Sequence, residues 1–326
     1  MTTSETILVT GGAGFIGSHF VELLIEGTNH PFQKVVVVDS LTYSGLRSNL
    51  AYFEKRSNFQ FVEADISNKE LMLQIVKNYS IDSIVNFAAE SHVDRSIQSS
   101  MPFVSSNVAG TTNLLEIFKD NCDGRFIQIS TDEVYGSIRR GSWSENEPLQ
   151  PNSPYSASKA GADLMALAFQ RTYGLNLCIT RCSNNYGARQ FPEKVIPLFI
   201  TNLIEGKKLP LYGDGLNVRD WIHVRDHCQG ILKVLMSGED GEIYNIGGNK
   251  EISNLELSRK ILKHFGKGEE SIEFVADRAG HDFRYSVDDS KIRQKLAFEN
   301  KIEFEVGLAE TIEWYVANSA WWRPLK

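Results

Sequence analysis

A glycine-rich turn near the start of the sequence narrows the possible folds more than any other segment. It joins the apolar run Ile7–Val9 to an amphipathic helical pattern over Ser18–Ile25, and its glycines recur at three-residue intervals, Gly11, Gly14 and Gly17. In a strand–turn–helix unit such glycines let the backbone approach a pyrophosphate, and the helix N-terminus presents free N–H groups and a partial positive charge. The pattern favours a dinucleotide-binding site, although a plain turn could contain the same glycines.

The next apolar run ends in a single carboxylate. Val35–Val38 is continuously apolar, which is typical of a parallel strand covered on both faces, and Asp39 follows it. A carboxylate at this distance from the glycines is placed to accept the hydroxyls of an adenosine ribose, and it would repel a 2′-phosphate. The sequence therefore favours NAD over NADP, with a turn or N-cap aspartate as the alternative interpretation.

Strand and helix patterns continue to alternate through the first half of the chain. Strands are predicted over 59–63, 84–87, 126–129 and 177–180, and helices over 69–78, 107–119 and 154–173. This alternation predicts an α/β fold, a Rossmann-type doubly wound parallel sheet with helices on both faces. Regular alternation ends after residue 181. We therefore expect an NAD-binding domain over residues 1–181, with part of 220–248 returning to it, and a smaller mixed α/β substrate-binding lobe over residues 182–326.

Composition argues against several kinds of partner. The 34 basic and 41 acidic residues give a net charge of −7, and no basic stripe is present, so nucleic acid is not expected to bind. The sequence contains no apolar run of membrane-spanning length and no signal-peptide pattern, which predicts no membrane association and a cytoplasmic location. The cysteines lack paired spacing and are predicted to be buried free thiols: Cys122, Cys178, Cys182 and Cys228.

Two further polar pairs are interpreted without a metal. His223 and His227 have the spacing of ligands on one helical face, but no third ligand cluster accompanies them, so a helix start is predicted. Asp288 and Asp289 lie among polar residues and are predicted to form a turn or a helix cap.

Two adjacent carboxylates stand where the central strand is predicted to end. The apolar run Phe126–Ile129 leads into Ser130–Gly136, which contains Asp132 and Glu133. Ligands of open α/β sheets bind beyond the carboxyl ends of the strands, so both carboxylates are expected within reach of a bound substrate.

A second pair of candidate catalytic residues lies on a predicted helix. Tyr155 and Lys159 are spaced i, i+4, so they share one helical face. An ammonium near a phenol lowers the pKa of the phenol and gives a base that can remove a hydroxyl proton. Most such pairs are solvated surface residues, and the dinucleotide site is what favours the catalytic interpretation. Ala88 and Ala89 follow a strand and suit a backbone lying against a flat cofactor ring, or simple packing.

Together, these groups predict an internal oxidation–reduction coupled to loss of water. The phenol would take a hydroxyl proton as a hydride passes to NAD⁺. The resulting ketone acidifies the neighbouring C–H, so that one carboxylate can remove that proton while the other protonates the leaving hydroxyl. The bound NADH can then return its hydride to the alkene.

The sequence resembles the extended short-chain dehydrogenase/reductases, and within them the dTDP-glucose 4,6-dehydratases. Thr10–Gly17 and the Tyr155/Lys159 pair carry the first resemblance, and Thr131–Gly136 is similar to the signature of the second. The resemblance extends through essentially the whole chain. Further matching segments are Ala88–Ser96, Ser183–Gly187, Phe191–Lys194, Asn217–Trp221 and Tyr244–Gly248.

The resemblance implies a role for each candidate catalytic residue and a homodimeric state. Asp132 would be the acid for the C6 hydroxyl, Glu133 the base at C5 and Tyr155 the base at the C4 hydroxyl. Thr131 would hydrogen-bond the C4 oxygen, and Lys159 would orient the ribose and tune the tyrosine.

The predicted binding residues form two sets, and no metal is predicted. The cofactor set for NAD is Gly11, Gly14, Phe15, Ile16, Gly17, Asp39, Ser40, Leu41, Thr42, Asp65, Ile66, Ala88, Ala89, Ser106, Tyr155, Lys159 and Asn185. The set for the nucleotide-sugar substrate is Ser91, Thr131, Asn184, Lys194, Val195, Arg219, Asn245, Arg278 and His281.

Three alternatives to a dTDP-glucose 4,6-dehydratase remain open from the sequence. The first is a 4,6-dehydratase of a UDP-, CDP- or GDP-hexose, because one methyl group on the base can be recognised by several packings. The second is a nucleotide-sugar 4-epimerase or decarboxylase, although an epimerase needs no acid–base pair for water loss. The third is a non-catalytic NAD-binding protein, which the joint presence of both catalytic pairs argues against.

Overall fold

The computed structural model describes residues 5–28, 30–277 and 280–326. Its strands are β1 (Glu5–Thr10), β2 (Phe32–Asp39), β3 (Phe59–Glu63), β4 (Ser83–Asn86), β5 (Phe126–Thr131), β6 (Leu177–Cys182), β7 (Asn184–Tyr186), β8 (Leu209–Tyr212), β9 (Val218–His223), β10 (Ile243–Ile246), β11 (Glu251–Ser253) and β12 (Ile272–Val275). Its α-helices are α1 (Phe15–Glu26), α2 (Lys69–Tyr79), α3 (Val93–Gln98), α4 (Met101–Phe103), α5 (Thr111–Asn121), α6 (Pro154–Tyr173), α7 (Val195–Ile204), α8 (Val224–Ser237), α9 (Asn254–His264), α10 (Ser290–Leu296), α11 (Phe304–Ala317) and α12 (Ser319–Trp322).

The main sheet has seven parallel strands in the order β3-β2-β1-β4-β5-β6-β10. Its central strands are apolar because both faces are covered. Val35 and Val37 pack into the core beneath α1 and α8, whereas Val36 and Val38 pack into the core beneath α2 and α5. The predicted fold class is therefore confirmed. The strand order reverses between β1 and β4, which is where open α/β sheets bind their ligands.

A smaller lobe stands at the carboxyl edge of this sheet. It contains the mixed sheet β11-β9-β7 and the parallel pair β8-β12, and its core lies among α7, α9 and α11. Trp322 is fully buried in this core. Because β10 pairs with β6, the chain returns to the main sheet after entering the lobe.

One helix differs from its predicted form. The pattern over 107–119 predicts a plain α-helix, but a π-helical turn, Val104–Gly110, precedes α5. Asn107 lies in that turn, where its side chain accepts the N–H of Glu90 at 2.8 Å and donates to the Glu90 carbonyl at 3.0 Å and to Ser158 Oγ at 2.8 Å. The wider π-helical turn orients the Asn107 amide towards these partners. The spacing of apolar residues in the sequence does not indicate such a turn.

Both polar pairs for which no metal was predicted lie at the start of a helix. His223 is the N-cap of α8, and its Nδ1 accepts the N–H of Arg225 at 3.2 Å. Asp289 is at the N-cap position of α10, and Asp288 Oδ1 accepts the N–H of Ser290 at 2.9 Å. Within the described ranges, no group of His, Cys, Asp or Glu is arranged to hold a metal ion. No helix in those ranges combines the length and apolar character that crossing a membrane requires.

Candidate active site

A cleft of about 690 Å³ lies between the carboxyl edge of the main sheet and the lobe. Its walls come from the residues that follow β1, β2, β4, β5 and β6 and from lobe segments around β9 and α7. Every predicted site residue in the described part of the chain lines this cleft, except Leu41 and Asn245. Arg278 lies outside the described residues.

The glycine turn is packed too closely to accept side chains. Gly11 has φ +65°, and a Cβ added there would lie 2.6 Å from the backbone nitrogen of Ala88. A Cβ on Gly17 would lie 2.3 Å from the carbonyl oxygen of Gly11. The turn therefore presses α1 against the ends of β1 and β4, and Gly14 is the N-cap from which the helix begins. This cradle, with its unfilled N–H groups, fits a pyrophosphate.

Asp39 closes the cofactor side of the cleft. Its Oδ2 accepts the N–H of Ala13 and its Oδ1 accepts the N–H of Leu41, both at 2.9 Å. Burial raises the pKa of Asp39, and these backbone donors oppose the rise. Each carboxylate oxygen keeps a further lone pair, so the group fits the ribose of NAD. Leu41 does not line the cleft. It contributes through its backbone, which holds Asp39 from a left-handed conformation with φ +49°.

Asp132 occupies a buried position at the start of a 3₁₀ turn after β5. It is 2% exposed, and its Oδ2 has no hydrogen-bond partner among the described residues. Burial, followed by the charges of Glu133 and Asp220, raises the pKa of Asp132 well above its usual range, with Arg219 opposing. This environment favours the protonated acid, which can donate a proton.

Glu133 is adjacent in sequence but lies in a different environment. It is half-buried and lines the cleft, and its backbone N–H donates to Thr131 Oγ1 at 3.3 Å. The same hydroxyl donates to Asp132 Oδ1 at 3.3 Å, so Thr131 fixes the turn that separates the two carboxyl groups. Two neighbouring acids in unlike surroundings suit opposite proton-transfer roles.

The structure corrects the predicted relation between Tyr155 and Lys159. The pKa of Tyr155 is raised well above its usual value, not lowered, because of burial and then the negative charge of Glu133; a hydrogen bond with Thr131 opposes the rise. Lys159 is also fully buried, and its Nζ donates to the carbonyl of Ile129 at 2.6 Å. The predicted direction was wrong because it considered the helical face alone and omitted burial and the two carboxylates that follow β5.

The lobe supplies polar groups at the other wall of the cleft. Asn184 Oδ1 is buried without a hydrogen-bond partner in the described ranges, so it can accept from a ligand. Arg219 donates to the carbonyls of Val218 at 2.7 Å and Asp282 at 2.9 Å, and its guanidinium lies 4.5 Å from the ring centroid of Tyr285. These bonds hold a fork-shaped cation at the cleft, which suits a diphosphate.

Other members of the substrate set are fixed by neighbouring segments. Lys194 Nζ donates to the Ser91 carbonyl at 3.1 Å, and Val195 begins α7 directly after it. His281 Nδ1 lies 2.6 Å from Asp277 Oδ1. The basic side chains of this wall are thus oriented by the protein itself.

The structure places Asn245 behind the site, not in it. The side chain is fully buried, and its Oδ1 accepts from the Tyr135 hydroxyl at 2.9 Å. Its Nδ2 donates to the carbonyls of Trp143 at 3.0 Å and Asp288 at 3.2 Å. Both ends of the amide are therefore occupied by protein groups.

Sequence reasoning missed several residues that line the cleft. Tyr285 comes from a lobe segment that carries no recognisable pattern, whereas Trp221 ends the matching segment Asn217–Trp221 and could have been identified from it. Glu193 lies inside the Phe191–Lys194 segment that carried the resemblance, and that match was a signal that could have identified it. Tyr43 and Glu90 follow β2 and β4, where the rule for ligands at strand ends would have included them.

Comparison with known proteins agrees with this geometry. A family model described as GDP-mannose 4,6 dehydratase matches residues 8–311. The dTDP-glucose 4,6-dehydratase of Streptomyces niveus is 53% identical over 322 residues, which cover 98% of this chain and 95% of that protein. The crystal structure of DesIV, a dTDP-glucose 4,6-dehydratase from Streptomyces venezuelae with NAD and TYD bound, matches with a TM-score of 0.96 at 53% identity, covering 98% of this chain and 100% of the other.

The solved structure of an enzyme with a different activity also matches, but with lower similarity. The UDP-glucose 4-epimerase of Thermotoga maritima, solved with UDP-glucose, has a TM-score of 0.88 at 31% identity, covering 96% of this chain and 99% of the other. The fold and the cleft thus define an extended short-chain dehydrogenase/reductase of the nucleotide-sugar type. Within that class, the chain belongs to the dTDP-glucose 4,6-dehydratase family, because its similarity to those relatives extends over nearly the whole length.

Proposed function

We propose that this protein is an NAD-dependent dTDP-glucose 4,6-dehydratase. It oxidises the hexose at C4, removes water across C5 and C6, and reduces C6 to give dTDP-4-keto-6-deoxyglucose. The observation that carries the proposal is the environment of Asp132, a buried acid whose Oδ2 has no partner in the described chain, beside the cleft-facing Glu133. Oxidation and epimerisation at C4 need no such acid, whereas the loss of a hydroxyl group does.

The cofactor set is proposed to hold NAD along the Rossmann wall. The glycine cradle would receive the pyrophosphate and Asp39 the adenosine ribose. When bound, NAD⁺ supplies a hydride acceptor for C4 and, once reduced, a hydride donor for C6. The Lys159 ammonium group, which donates to the carbonyl of Ile129, lies at the cofactor side of the cleft.

Three protein groups would move the protons. Tyr155 takes the proton of the C4 hydroxyl as its phenolate, which the positive charges of bound NAD⁺ and of Lys159 would favour, and Thr131 hydrogen-bonds the Tyr155 oxygen. Glu133 takes the C5 proton while Asp132 gives its proton to the C6 hydroxyl, which leaves as water. Glu133 then returns its proton to C5 as C6 is reduced. At the end Tyr155 holds the proton of the C4 hydroxyl and Asp132 has lost its proton to the departing water, so exchange with solvent restores both groups.

The lobe is proposed to hold the nucleotide diphosphate. Arg219 and Lys194 bring positive charge to the cleft, and Asn184 offers an unsatisfied acceptor. The thymine preference is supported by relatives at 53% identity whose names specify dTDP-glucose. We retain the division into an NAD-binding domain, 1–181 with part of 220–248, and a substrate lobe, 182–326, as part of this proposal.

We also propose a homodimer located in the cytoplasm. Helices α3, α4 and α6 and the π-turn between α4 and α5 pack together, and they expose Ile97, Met101, Val104 and Leu164. An apolar patch of this kind is typical of an interface between subunits. The four cysteines are free thiols, which fits a reducing compartment. Sedimentation equilibrium of the purified protein is expected to give twice the chain mass, and a monomer would contradict the dimer.

A panel of nucleotide sugars tests the activity directly. The purified protein is incubated with dTDP-, UDP-, CDP- and GDP-glucose, and the products are followed by mass spectrometry and NMR. We expect loss of one water from dTDP-glucose without added reductant. Faster conversion of another nucleotide would change the substrate assignment. Formation of a C4 epimer without water loss, or no reaction with any sugar, would overturn the dehydratase proposal.

A further inference from the structure

A buried ion pair lies directly behind the turn that carries the two candidate catalytic acids. Arg181 at the end of β6 and Asp163 in the middle of α6 are 1% and 0% exposed, and Arg181 Nε lies 2.9 Å from Asp163 Oδ2. Neither residue lines the cleft. Burying two charges usually costs about as much desolvation energy as their attraction returns, so stability alone is a weak reason for such a pair.

The ion pair contacts both ends of the turn. On one side, Ser130 Oγ donates to Asp163 Oδ2 at 3.0 Å. On the other, Arg181 Nη1 donates to the Tyr135 hydroxyl at 2.8 Å, and its guanidinium lies 4.7 Å from the centroid of the same ring. Ser130 immediately precedes Thr131, and Tyr135 is the last residue of the 3₁₀ turn. The segment between these two anchors contains both candidate acids.

The anchor at Tyr135 continues into the rest of the fold. The Tyr135 hydroxyl accepts from Arg181 and donates to Asn245 Oδ1 at 2.9 Å, and Asn245 belongs to β10. The strand that returns to the main sheet therefore fixes the far end of the turn. This position gives Asn245 a function without contact to the substrate.

We propose that Asp163 and Arg181 are positioning residues for the elimination of water, because together they hold Ser130 and Tyr135 and so set where Asp132 and Glu133 meet the hexose. This inference rests on the proposed dehydratase function. Proton transfer in the transition state requires the carboxyl groups to lie within hydrogen-bond reach of C5 and of the C6 hydroxyl. Oxidation at C4 depends mainly on Tyr155, which is carried by α6 itself, and the turn contributes to that step only through the hydroxyl of Thr131.

Asp163 has a second link to the site. Its Oδ1 has no hydrogen-bond partner among the described residues, and its negative charge opposes the lowering of the Lys159 pKa that burial causes. A hydrophobic replacement of the ion pair would therefore preserve packing but lose this influence on Lys159. For that reason the test uses the two anchors, which leave the ion pair itself intact.

The test removes one hydroxyl group at each end of the turn. Tyr135→Phe and Ser130→Ala are compared with Tyr244→Phe and Ser258→Ala, which also delete buried hydroxyls but lie away from the cleft. For both anchor variants we expect kcat for dTDP-glucose to fall about 10- to 100-fold with KM changed less than about threefold, because a shift of about 1 Å in a catalytic group has effects of this size. Both control variants are expected to retain wild-type kcat.

A spectroscopic signal separates positioning from a general loss of structure. If oxidation proceeds and elimination lags, NADH accumulates on the enzyme in a single turnover to a higher level than in the wild type. Anchor variants that behave like their controls overturn the inference, and so does an equal slowing of NADH formation and product formation. If the wild-type protein itself releases no water from any nucleotide sugar, the proposed function fails instead, and the two failures are distinguishable.

Discussion

The two walls of the cleft differ in whether backbone or side-chain groups form their surface. The cofactor wall is mainly backbone: Gly11 and Gly17 allow main chains to touch, and Asp39 is held by backbone N–H groups. The catalytic wall, formed by the residues after β5 and by the lobe, is mainly side chains with buried ionisable groups, of which Asp132 and Arg219 are examples. The first wall should therefore be sensitive to added atoms and the second to changes in protonation.

The difference reflects what each wall must do. A cofactor that serves every turnover needs a rigid surface of fixed shape. Closely packed backbone provides such a surface without burying ionisable side chains. A substrate that must gain and lose protons needs groups whose pKa values are displaced, and displacement comes from burial and neighbouring charge. We therefore expect the largest losses of activity from neutral, isosteric substitutions on the catalytic wall.

Asp132→Asn should have the largest effect on catalysis. The amide has nearly the same shape but cannot donate the acid proton, so kcat for water loss should fall by about 10²–10⁴-fold, the usual contribution of general acid–base catalysis. NADH should still form in a single turnover, because oxidation at C4 does not use this group. Stopped-flow absorbance and product analysis measure the two steps. Unchanged water loss would contradict the role of Asp132 as the acid.

The same variant should be more stable than the wild type at neutral pH. The folded-state pKa of Asp132 is raised by burial, so the folded protein loses stability as the pH rises from the unfolded pKa, near 3.9, to the folded pKa. Asparagine has no such dependence. The stability advantage of Asp132→Asn should be absent below about pH 4, grow with pH by about 1.4 kcal/mol for each unit of pKa displacement, and then level off. Urea unfolding across this range tests it, and an advantage that shrinks with pH would contradict the assigned shift.

Gly17→Ala should have the next largest effect, and it should act on the cofactor. The added Cβ would lie 2.3 Å from the Gly11 carbonyl oxygen and 2.9 Å from Gly12 Cα, and backbone atoms cannot move aside as a flexible side chain can. Overpacking of this kind costs about 1–3 kcal/mol, which corresponds to a loss in NAD affinity of about 5- to 150-fold. Isothermal titration of the cofactor-depleted protein with NAD measures it.

Gly141→Ala is the matched control for that substitution. Gly141 has φ +77°, and a Cβ there would have no neighbour within 4 Å. Alanine in this conformation should cost about 1–2 kcal/mol of stability without changing NAD affinity. If both glycine variants lower NAD affinity equally, the effect comes from general destabilisation and not from the close packing of the cofactor wall.

The cofactor wall could be predicted from the sequence because its rules are local. Glycine spacing, a continuously apolar strand and a terminal Asp39 specify a strand–turn–helix unit with little help from distant residues. The alternation also predicted a doubly wound parallel sheet, but it did not specify the order of the strands. The exception is Leu41, whose left-handed backbone holds Asp39 while its side chain lies outside the cleft.

The catalytic wall could be predicted only in part. The residues alone identified Asp132 and Glu133 as a pair, and only the family resemblance assigned the acid to Asp132. The physical cause is burial of Asp132, followed by the charges of Glu133 and of Asp220, which β9 brings to the site from the lobe. The pKa of Tyr155 was assigned the wrong direction for the same reason. Burial and long-range charge depend on the tertiary fold, and a local pattern does not contain them.

Glu193 joins the two walls across the mouth of the cleft. It belongs to the segment before α7, and its carboxylate lies 3.2 Å from His92 Nε2 and 3.6 Å from Arg95 Nη2 on the Rossmann side. The guanidinium of Arg95 in turn lies 3.7 Å from the ring centroid of Tyr43, which packs against Phe191 at 5.4 Å. This contact closes a ring of side chains beside the cofactor site.

Of the substitutions Asp132→Asn, Gly17→Ala and Glu193→Gln, the last should have the smallest effect. It removes a contact between the two walls and should therefore speed the release of NAD. Burial opposes ionisation of Glu193, but the hydrogen bond from His92 and nearby positive charge hold its pKa below the usual value. Partly exposed ion pairs contribute about 0.5–1 kcal/mol, so NAD should dissociate about two- to fivefold faster, with the difference shrinking as the pH falls below about 4.3. The matched control is Glu205→Gln, which breaks contacts to Lys207 and Lys326 outside the cleft and should leave NAD release unchanged. Equal NAD release rates in the two variants would show that the walls hold the cofactor independently, because only the first substitution removes a contact between them.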